Sequence, residues 1–161
     1  MIRLETKSLI LTLRSPAEVK AWIEGLDPAV KKELSADWLR RIAGATEPDP
    51  WLHGFTLLDR ASGGAIGSAG FKAPPDAEGC VEIAYGVDAE HQGRGCATEA
   101  AEALTAFAFR TAGIRRVRAH TLPEPNASTR VLTKCGFKRT GEVVDPEDGL
   151  VWRWENLRDS A

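Results

Sequence analysis

The sequence lacks the features that mark several classes of protein. Its three cysteines, Cys80, Cys96 and Cys135, are an odd number at wide spacing, so they form neither a disulfide framework nor a zinc pattern. A formal charge of −2 leaves no basic excess to neutralise phosphates, which argues against nucleic-acid and membrane-surface binding. No apolar run approaches the roughly 18 residues of a membrane span, and no signal-peptide core follows Met1. We therefore expect a soluble cytoplasmic protein.

The composition that is present suits a single globular domain over residues 1–161. Hydrophobic residues make up 43% of the chain and charged residues 27%, which is ordinary for a protein that buries one core. The chain shows no internal repeat and no low-complexity linker.

Hydrophobic spacing and turn residues predict a mixed α/β layout, which differs from a repeating βαβ array. A stripe of mostly small residues in the helix after Gly95 would let that helix approach a sheet closely. We expect helices over 17–26, 95–112 and 126–134 with two short ones within 28–41, and strands over 8–13, 51–59, 65–71, 80–87, 116–121, 137–144 and 150–157.

A glycine turn, Gln92-Gly93-Arg94-Gly95-Cys96-Ala97, lies where a predicted strand gives way to a predicted helix. The first N–H groups of a helix have no internal partners, and the helix dipole favours negative charge there. The two glycines keep Cβ atoms away, and Arg94 can add a charged donor. The pattern predicts a pyrophosphate site, with a plain strand-to-helix connection as the alternative.

Two other phosphate motifs fit this turn poorly. A dinucleotide fingerprint would need a third glycine where Thr98 stands and an acidic residue at the end of the next strand. A P-loop would need a Gly-Lys-Ser/Thr triplet, which is absent.

The remaining segments carry a family resemblance. Gln92-x-x-Gly95-x-Ala97 resembles the cofactor signature of the GNAT acetyltransferase superfamily. The segment 126–137, which opens Asn126-Ala127-Ser128 and closes on Lys134-Cys135-Gly136-Phe137, is similar to the superfamily's helix and following strand start. With the strand at 81–87, these segments look most like the RimJ/RimL-like branch of ribosomal-protein-alanine acetyltransferases.

The resemblance implies a fold and a cofactor. The fold would be α/β, with a mostly antiparallel twisted sheet of roughly six or seven strands, split between the fourth and fifth, and about four helices. Acetyl-CoA would be the co-substrate, without a metal. By motif position, the cofactor would contact Ile83, Tyr85, Val87, Gln92, Gly93, Arg94, Gly95, Cys96, Ala97, Thr98 and Asn126. Tyr85 could instead pack or line the acceptor groove.

Three residues are candidates for the chemistry of acetyl transfer. Glu82 and His120, on the strands that flank the split, are candidate bases; Glu82 could equally be an exposed strand carboxylate, and a lone histidine such as His120 is more often structural. Many GNAT proteins carry a tyrosine acid where Leu132 stands here. Ser128 matches the serine of the RimJ/RimL-like pattern and could donate a hydrogen bond, or simply partner Asn126 in a helix cap.

Cys96 offers a further, disfavoured route. A helix N-terminus favours thiolate, but an acyl-cysteine mechanism lacks a well-placed activating histidine other than His91.

The function that the resemblance implies is acetyl transfer to a primary amine, either a protein N-terminal α-amine or a small molecule. A non-catalytic CoA-binding or sensing domain is the alternative, and a nucleotide-dependent oxidoreductase is a weaker third. We expect no nucleic-acid or membrane partner, and a homodimer is left open.

Overall fold

The computed structural model describes residues 2–146 and 148–158, which form one mixed sheet flanked by helices. Within these residues no helix is long and apolar enough to cross a membrane. The strands are β1 (Arg3–Glu5), β2 (Leu9–Leu13), β3 (Phe55–Asp59), β4 (Ala65–Phe71), β5 (Cys80–Val87), β6 (Arg116–Thr121), β7 (Lys138–Asp145) and β8 (Gly149–Leu157). The helices are α1 (Pro16–Glu24), α2 (Pro28–Lys31), α3 (Ala36–Gly44), α4 (Cys96–Arg110) and α5 (Ala127–Lys134).

The predicted fold class is confirmed, with small differences in count. The described residues form eight strands in the order β1-β2-β3-β4-β5-β6-β8-β7, where about six or seven were expected, and five helices in place of about four. The additional strand, β1, is only three residues long, too short to show an alternating pattern, and it depends on pairing Leu4 with Leu11 of β2.

One strand begins later than its hydrophobic run suggested. The strand expected from Trp51 begins at Phe55, because Asp49 organises a turn before it. Its carboxylate accepts from the Trp51 N–H at 2.8 Å, and its carbonyl accepts from the His53 N–H at 2.9 Å.

The core lies between one face of the sheet and α4. Ala100, Ala101, Leu104 and Ala108 are completely buried, so the small-residue stripe does bring this helix close to the strands. Phe55 and Leu57 meet it from the sheet. Val19 of α1 and Ile42 of α3 are also buried but lie outside this cluster.

The sheet is antiparallel everywhere except between β5 and β6. This single parallel junction excludes the doubly wound parallel sheet that a dinucleotide-binding fold requires. It is also the place where the sheet opens.

Candidate active site

The split between β5 and β6 is a direct consequence of their short pairing. Only three residue pairs join the two strands, the last being Glu82 with Arg118, although β5 continues to Val87. The split therefore lies between the fourth and fifth of the strands expected from sequence, which are β5 and β6 once β1 is counted.

The backbone of β5 beyond the split is directed alternately to its two sides. The Lys72 N–H donates to the Glu82 carbonyl and the Asp88 N–H donates to the Ile66 carbonyl, so the even-numbered residues bond towards β4. By alternation, the peptide groups of Ile83, Tyr85 and Val87 are directed into the split, where an extended ligand could add hydrogen bonds like another strand.

The glycine turn places free backbone amides at the start of α4. Gly93 and Gly95 both have φ of +81°, and a Cβ at either position would meet no other atom within 4 Å. Gly95 caps α4 without any side-chain hydrogen bond, and the first bond of the helical ladder comes from the Glu99 N–H. The amides of Cys96, Ala97 and Thr98 precede that bond and have no acceptor within the helix. This open, positively polarised end suits a pyrophosphate.

The polar side chains of the turn have different roles. The Gln92 amide donates to the Val87 carbonyl at 2.9 Å, so it ties the turn to the end of β5. Arg94 is exposed, and with Lys7 and Arg60 it lines a cavity of about 390 Å³ beside the start of α4. Asp59 also lines this cavity, so its three cations outnumber its one carboxylate and would favour a phosphate group there.

Cys96 is unsuited to a covalent step. Burial, followed by the nearby carboxylate of Glu99, raises the pKa of its thiol, although it stands at a helix N-terminus. The expectation that this position favours thiolate is therefore wrong, because the side chain is only 7% exposed.

The two candidate bases lie side by side on one face of the sheet. His120 Nδ1 is 2.9 Å from Glu82 Oε2, and Lys72 Nζ is 3.2 Å from the same oxygen. Arg153, opposite His120 on β8, donates from Nε to His120 Nε2 at 3.1 Å. Because Nε2 accepts a hydrogen bond, the proton of the neutral ring lies on Nδ1 and is donated to Glu82. Both ring nitrogens are thus engaged, while Glu82 Oε1 has no partner among the residues described.

Two hydroxyl groups lie on the face of the sheet opposite Glu82. Burial raises the pKa of Tyr85 to about 12, and a hydrogen bond with Ser128 acts in the opposite direction. Ser128 is in the first turn of α5, so this contact joins β5 to the helix that follows β6. Since side chains alternate along β5, Tyr85 and Glu82 lie on opposite faces of the sheet.

Asn126 caps α5, and its partner in the cap is Thr129 rather than Ser128. Its Oδ1 accepts from the Thr129 N–H at 3.0 Å, and Thr129 Oγ1 accepts from the Asn126 N–H at 2.9 Å. The alternative role of Ser128 as the cap partner is therefore wrong. Leu132, at the position where many family members have tyrosine, is completely buried in the core.

A second cavity, of about 420 Å³, opens on the face of the sheet that carries Glu82. Trp38 lines this cavity, whereas Trp51 contacts Phe71 in the core and Trp22 is 49% exposed. The cavity is lined by Arg14, Trp38, Leu52, His53, Gly54, Ser68, Ala69, Gly70, Phe71, Ala84, Tyr85 and Gly86.

Sequence reasoning missed Arg14, His53, Lys72 and Arg153. None of them belongs to a motif, and they reach the site only through sheet register and one tight turn.

Asp88, Glu90 and His91 form a cluster with metal-ligand atoms within 4.8 Å of one another, but its carboxylates are exposed and we assign it no metal.

Comparison with known families agrees with this geometry. A family profile described as "Acetyltransferase (GNAT) domain" matches residues 3–138. The chain belongs to the GNAT acetyltransferase family.

Individual members of the family match a smaller part of this chain than the family profile does. The chain is 29% identical over 93 residues to the uncharacterized N-acetyltransferase p20 of Bacillus licheniformis, a match covering 58% of this chain and 52% of that protein. It is 33% identical over 76 residues to the uncharacterized N-acetyltransferase YoaA of Bacillus subtilis, covering 47% of this chain and 43% of that protein. The matched segment thus spans about half the length of these relatives, or less.

Solved structures match nearly the whole chain. A structure whose name assigns it to the GNAT-family acetyltransferases, from Bordetella pertussis, is 29% identical with a TM-score of 0.68, covering 98% of this chain and 100% of that one. A RimL ribosomal α-N-protein acetyltransferase in complex with coenzyme A is 17% identical with a TM-score of 0.71, covering 99% of this chain and 100% of that one. The second match concerns the fold alone.

Proposed function

We propose that this protein transfers an acetyl group from acetyl-CoA to a primary amine, in the manner of the RimJ/RimL-like branch. The observation that carries the proposal is the coincidence of a strand split with an uncapped helix N-terminus. The pairing of β5 with β6 ends at Glu82, and the free amides of 96–98 come shortly after the end of β5. A ligand with an extended arm and a pyrophosphate fits both features at once.

The chain's own groups suit the two parts of this ligand. The peptide groups of Ile83 and Tyr85 and the N–H of Val87 would bond the pantetheine arm, since the Val87 carbonyl accepts from Gln92, and the amides of 92–98 with Arg94 would hold the pyrophosphate. Asn126 would contribute its side-chain Nδ2, because Oδ1 is used in the helix cap. When bound, acetyl-CoA supplies an activated thioester as the acetyl donor.

The attacking amine must be neutral. An α-amine with a pKa of about 8 is roughly 10% neutral at pH 7, and deprotonating it costs about 1.4 kcal/mol, whereas a lysine with a pKa of about 10.4 costs over 4 kcal/mol by the same arithmetic. A weak base is therefore enough for an α-amine. We assign this role to Glu82, directly or through one water, since Oε1 is free to accept a proton. His120 and Arg153 then position the carboxylate.

The departing thiolate needs a hydrogen-bond donor more than it needs a group that gives it a proton. A pKa of about 12 keeps Tyr85 protonated at neutral pH, far above that of an ordinary thiol. Tyr85 and Ser128 would therefore stabilise the sulfur by hydrogen bonding, and the thiolate would take its proton from solvent. This pair replaces the hydroxyl that Leu132 does not provide.

The proposal is tested by measuring CoA release from acetyl-CoA with a panel of peptide and small-molecule amines. Glu82→Gln keeps the shape of the side chain and removes the base, so we expect kcat to fall 100-fold or more, at the low end of the usual range for a general base. Glu78→Gln, an exposed carboxylate four residues earlier, is the matched control and should leave kcat unchanged. A Glu82→Gln variant with normal kcat would exclude Glu82 as the base.

A non-catalytic CoA-binding or sensing domain is the second candidate, favoured by the buried Leu132 in place of the usual tyrosine. Tight CoA binding without turnover on any acceptor would support it. Stabilisation by NAD(P) but not by CoA would contradict both.

We also propose a single domain, a cytoplasmic location and no resident metal; the acceptor and the oligomeric state are not assigned by these features.

A further inference from the structure

The cavity that contains Arg14, Trp38 and His53 carries positive charge without a balancing acid. Arg14 is the ionised residue among its lining side chains, and no carboxylate contributes to the lining. The nearest part of β5 is Ala84 to Gly86, two to four residues beyond Glu82 on the same strand. An acceptor that extends from this cavity along β5 would therefore reach the proposed base.

Arg14 has unused hydrogen-bonding capacity. Its Nε donates to Thr56 Oγ1 at 3.2 Å, while its two terminal nitrogens have no hydrogen-bond or ion-pair partner among residues 2–146 and 148–158. Burial lowers the pKa of Arg14 and the charge of Glu18 raises it, but arginine remains charged at neutral pH. Glu18 forms no ion pair with Arg14 in the described part of the chain, and its Oε1 accepts from the Ser15 N–H in the cap of α1.

His53 adds a buried donor without an acceptor. It is only 2% exposed, and its Nδ1 accepts from the Asp49 N–H at 2.9 Å, so the neutral ring carries its proton on Nε2. That Nε2 has no partner among the described residues. Buried polar groups are nearly always hydrogen-bonded, so this unpartnered N–H, on a residue that lines the cavity, indicates a place for an acceptor atom.

We propose that this cavity binds the acetyl acceptor through a carboxylate held by Arg14 and His53, at a distance from the amine that is acetylated. The planar fork of an arginine matches a carboxylate, and a neutral histidine N–H can add a third hydrogen bond. The inference rests on the proposed acetyl transfer and names the chemical class of its acceptor.

Sheet geometry sets the separation between the two groups. Thr56, Ser68 and Gly86 are in register across β3, β4 and β5, and Arg14 is bonded to the first of them. Neighbouring strands are about 4.8 Å apart, so the guanidinium lies roughly 10 Å from β5 at Gly86, and Glu82 is four residues, or about 13 Å, along that strand. The carboxylate of a free α-amino acid is too close to its amine to span this distance. An extended peptide advances about 3.4 Å per residue, so an acidic residue in roughly the third or fourth position, with the reach of its own side chain, does span it.

The acceptor is therefore the N-terminus of a peptide or protein segment with an acidic side chain near its start. The test uses four-residue peptide amides that begin with alanine and carry Glu or Gln at the second, third or fourth position. Acetylation of each pair is measured by CoA release, and binding to the CoA-loaded protein is measured by calorimetry. We expect at least one Glu peptide to have a KM about tenfold below that of its Gln partner, the lower range for a charge-assisted hydrogen bond.

Variants of Arg14 assign that preference to the cavity. Arg14→Gln should abolish the Glu-over-Gln ratio with little change in kcat, and Arg14→Lys should keep part of it because the charge remains. Arg40→Gln, which removes an arginine 77% exposed on α3, is the control and should retain the full ratio. In a spectrum of histidine side chains, the Nε2 proton of His53 should shift on adding the Glu peptide and not the Gln peptide.

The two proposals fail in different ways. If all peptides are acetylated equally well, or if Arg14→Gln keeps the preference, the carboxylate site is wrong and acetyl transfer stands. If nothing is acetylated but the Glu peptide still binds about tenfold tighter through Arg14, the carboxylate site stands and the acetyl-transfer function fails.

Discussion

Gly95→Glu is the substitution that most directly tests the phosphate site. Gly95 has φ of +81° and precedes the free amides of α4, with nothing within 4 Å of a Cβ. A glutamate there introduces both a side chain and a negative charge where the pyrophosphate would lie. At about 5 Å and an effective dielectric constant of 20, one pair of unit charges repels by about 3 kcal/mol. Solvent exposure and salt reduce this energy.

We expect the dissociation constant for CoA to rise about 100-fold, since each 1.4 kcal/mol changes it tenfold and somewhat less than the full repulsion survives in solution. Calorimetric titration of the folded variant with CoA measures this directly. Gly95→Ala removes glycine without adding charge, so it should lose less affinity than Gly95→Glu.

The control for backbone strain is Gly113→Glu. Gly113 has φ of +88°, follows the other end of α4, and also has open space around a Cβ. Both substitutions therefore add the same charge and the same cost, about 1–2 kcal/mol, for an L residue in the left-handed region. Both variants should lose similar thermal stability without ligand, but only Gly95→Glu should lose CoA affinity. An equal loss of affinity in both, or a change of less than about threefold in Gly95→Glu, would refute the phosphate site at this turn.

Three further predictions follow from the same structure. Tyr85 is the only tyrosine, so absorbance at alkaline pH reports it alone: we expect a midpoint near 12, raised further in Ser128→Ala, and a midpoint near 10 would contradict its burial. Because an unfolded tyrosine ionises at about pH 10, the stability linked to this phenol should be complete below pH 10 and be lost as pH rises from about 10 to about 12, as denaturant titration can show. Cys96 should react with a thiol reagent much more slowly in the folded protein at pH 8 than in urea, because burial raises its pKa; equal rates would show an accessible thiolate. Phe55→Ala should cost about 3–5 kcal/mol in the free energy of unfolding, because Phe55 is completely buried against α4, and a loss below about 1 kcal/mol would contradict this packing.

Most elements were predictable because their signals are local. Ser15 and Pro16 open α1 as its cap and first residue, and Gly136 ends α5 with φ of +85°. The hairpin between β3 and β4 follows from the turn that contains Gly63. The elements that sequence reasoning placed less well depend on distant partners. These are β1, which is too short to stand alone, and the start of β3, which a capped turn delays.

The candidate site divides in the same way. The sequence by itself determined the glycine turn, its position between a strand and a helix, and the Asn126 cap, because each depends on residues a few positions apart. It could not pair Glu82 with His120, since 38 positions separate them and only the short parallel register of β5 and β6 brings them together.

Tertiary structure alone decided which groups surround the proposed site. Arg153 reaches His120 from β8, and Arg14 and His53 share a cavity wall because β2 and the turn before β3 meet beside the sheet. Side-chain hydrogen bonds of this kind depend on strand order and register, which are properties of the assembled sheet rather than of any one segment. The sequence thus specified the glycine turn at which we propose that a phosphate binds, and the folded sheet determined which of the proposed base, donors and acceptor-binding groups stand around it.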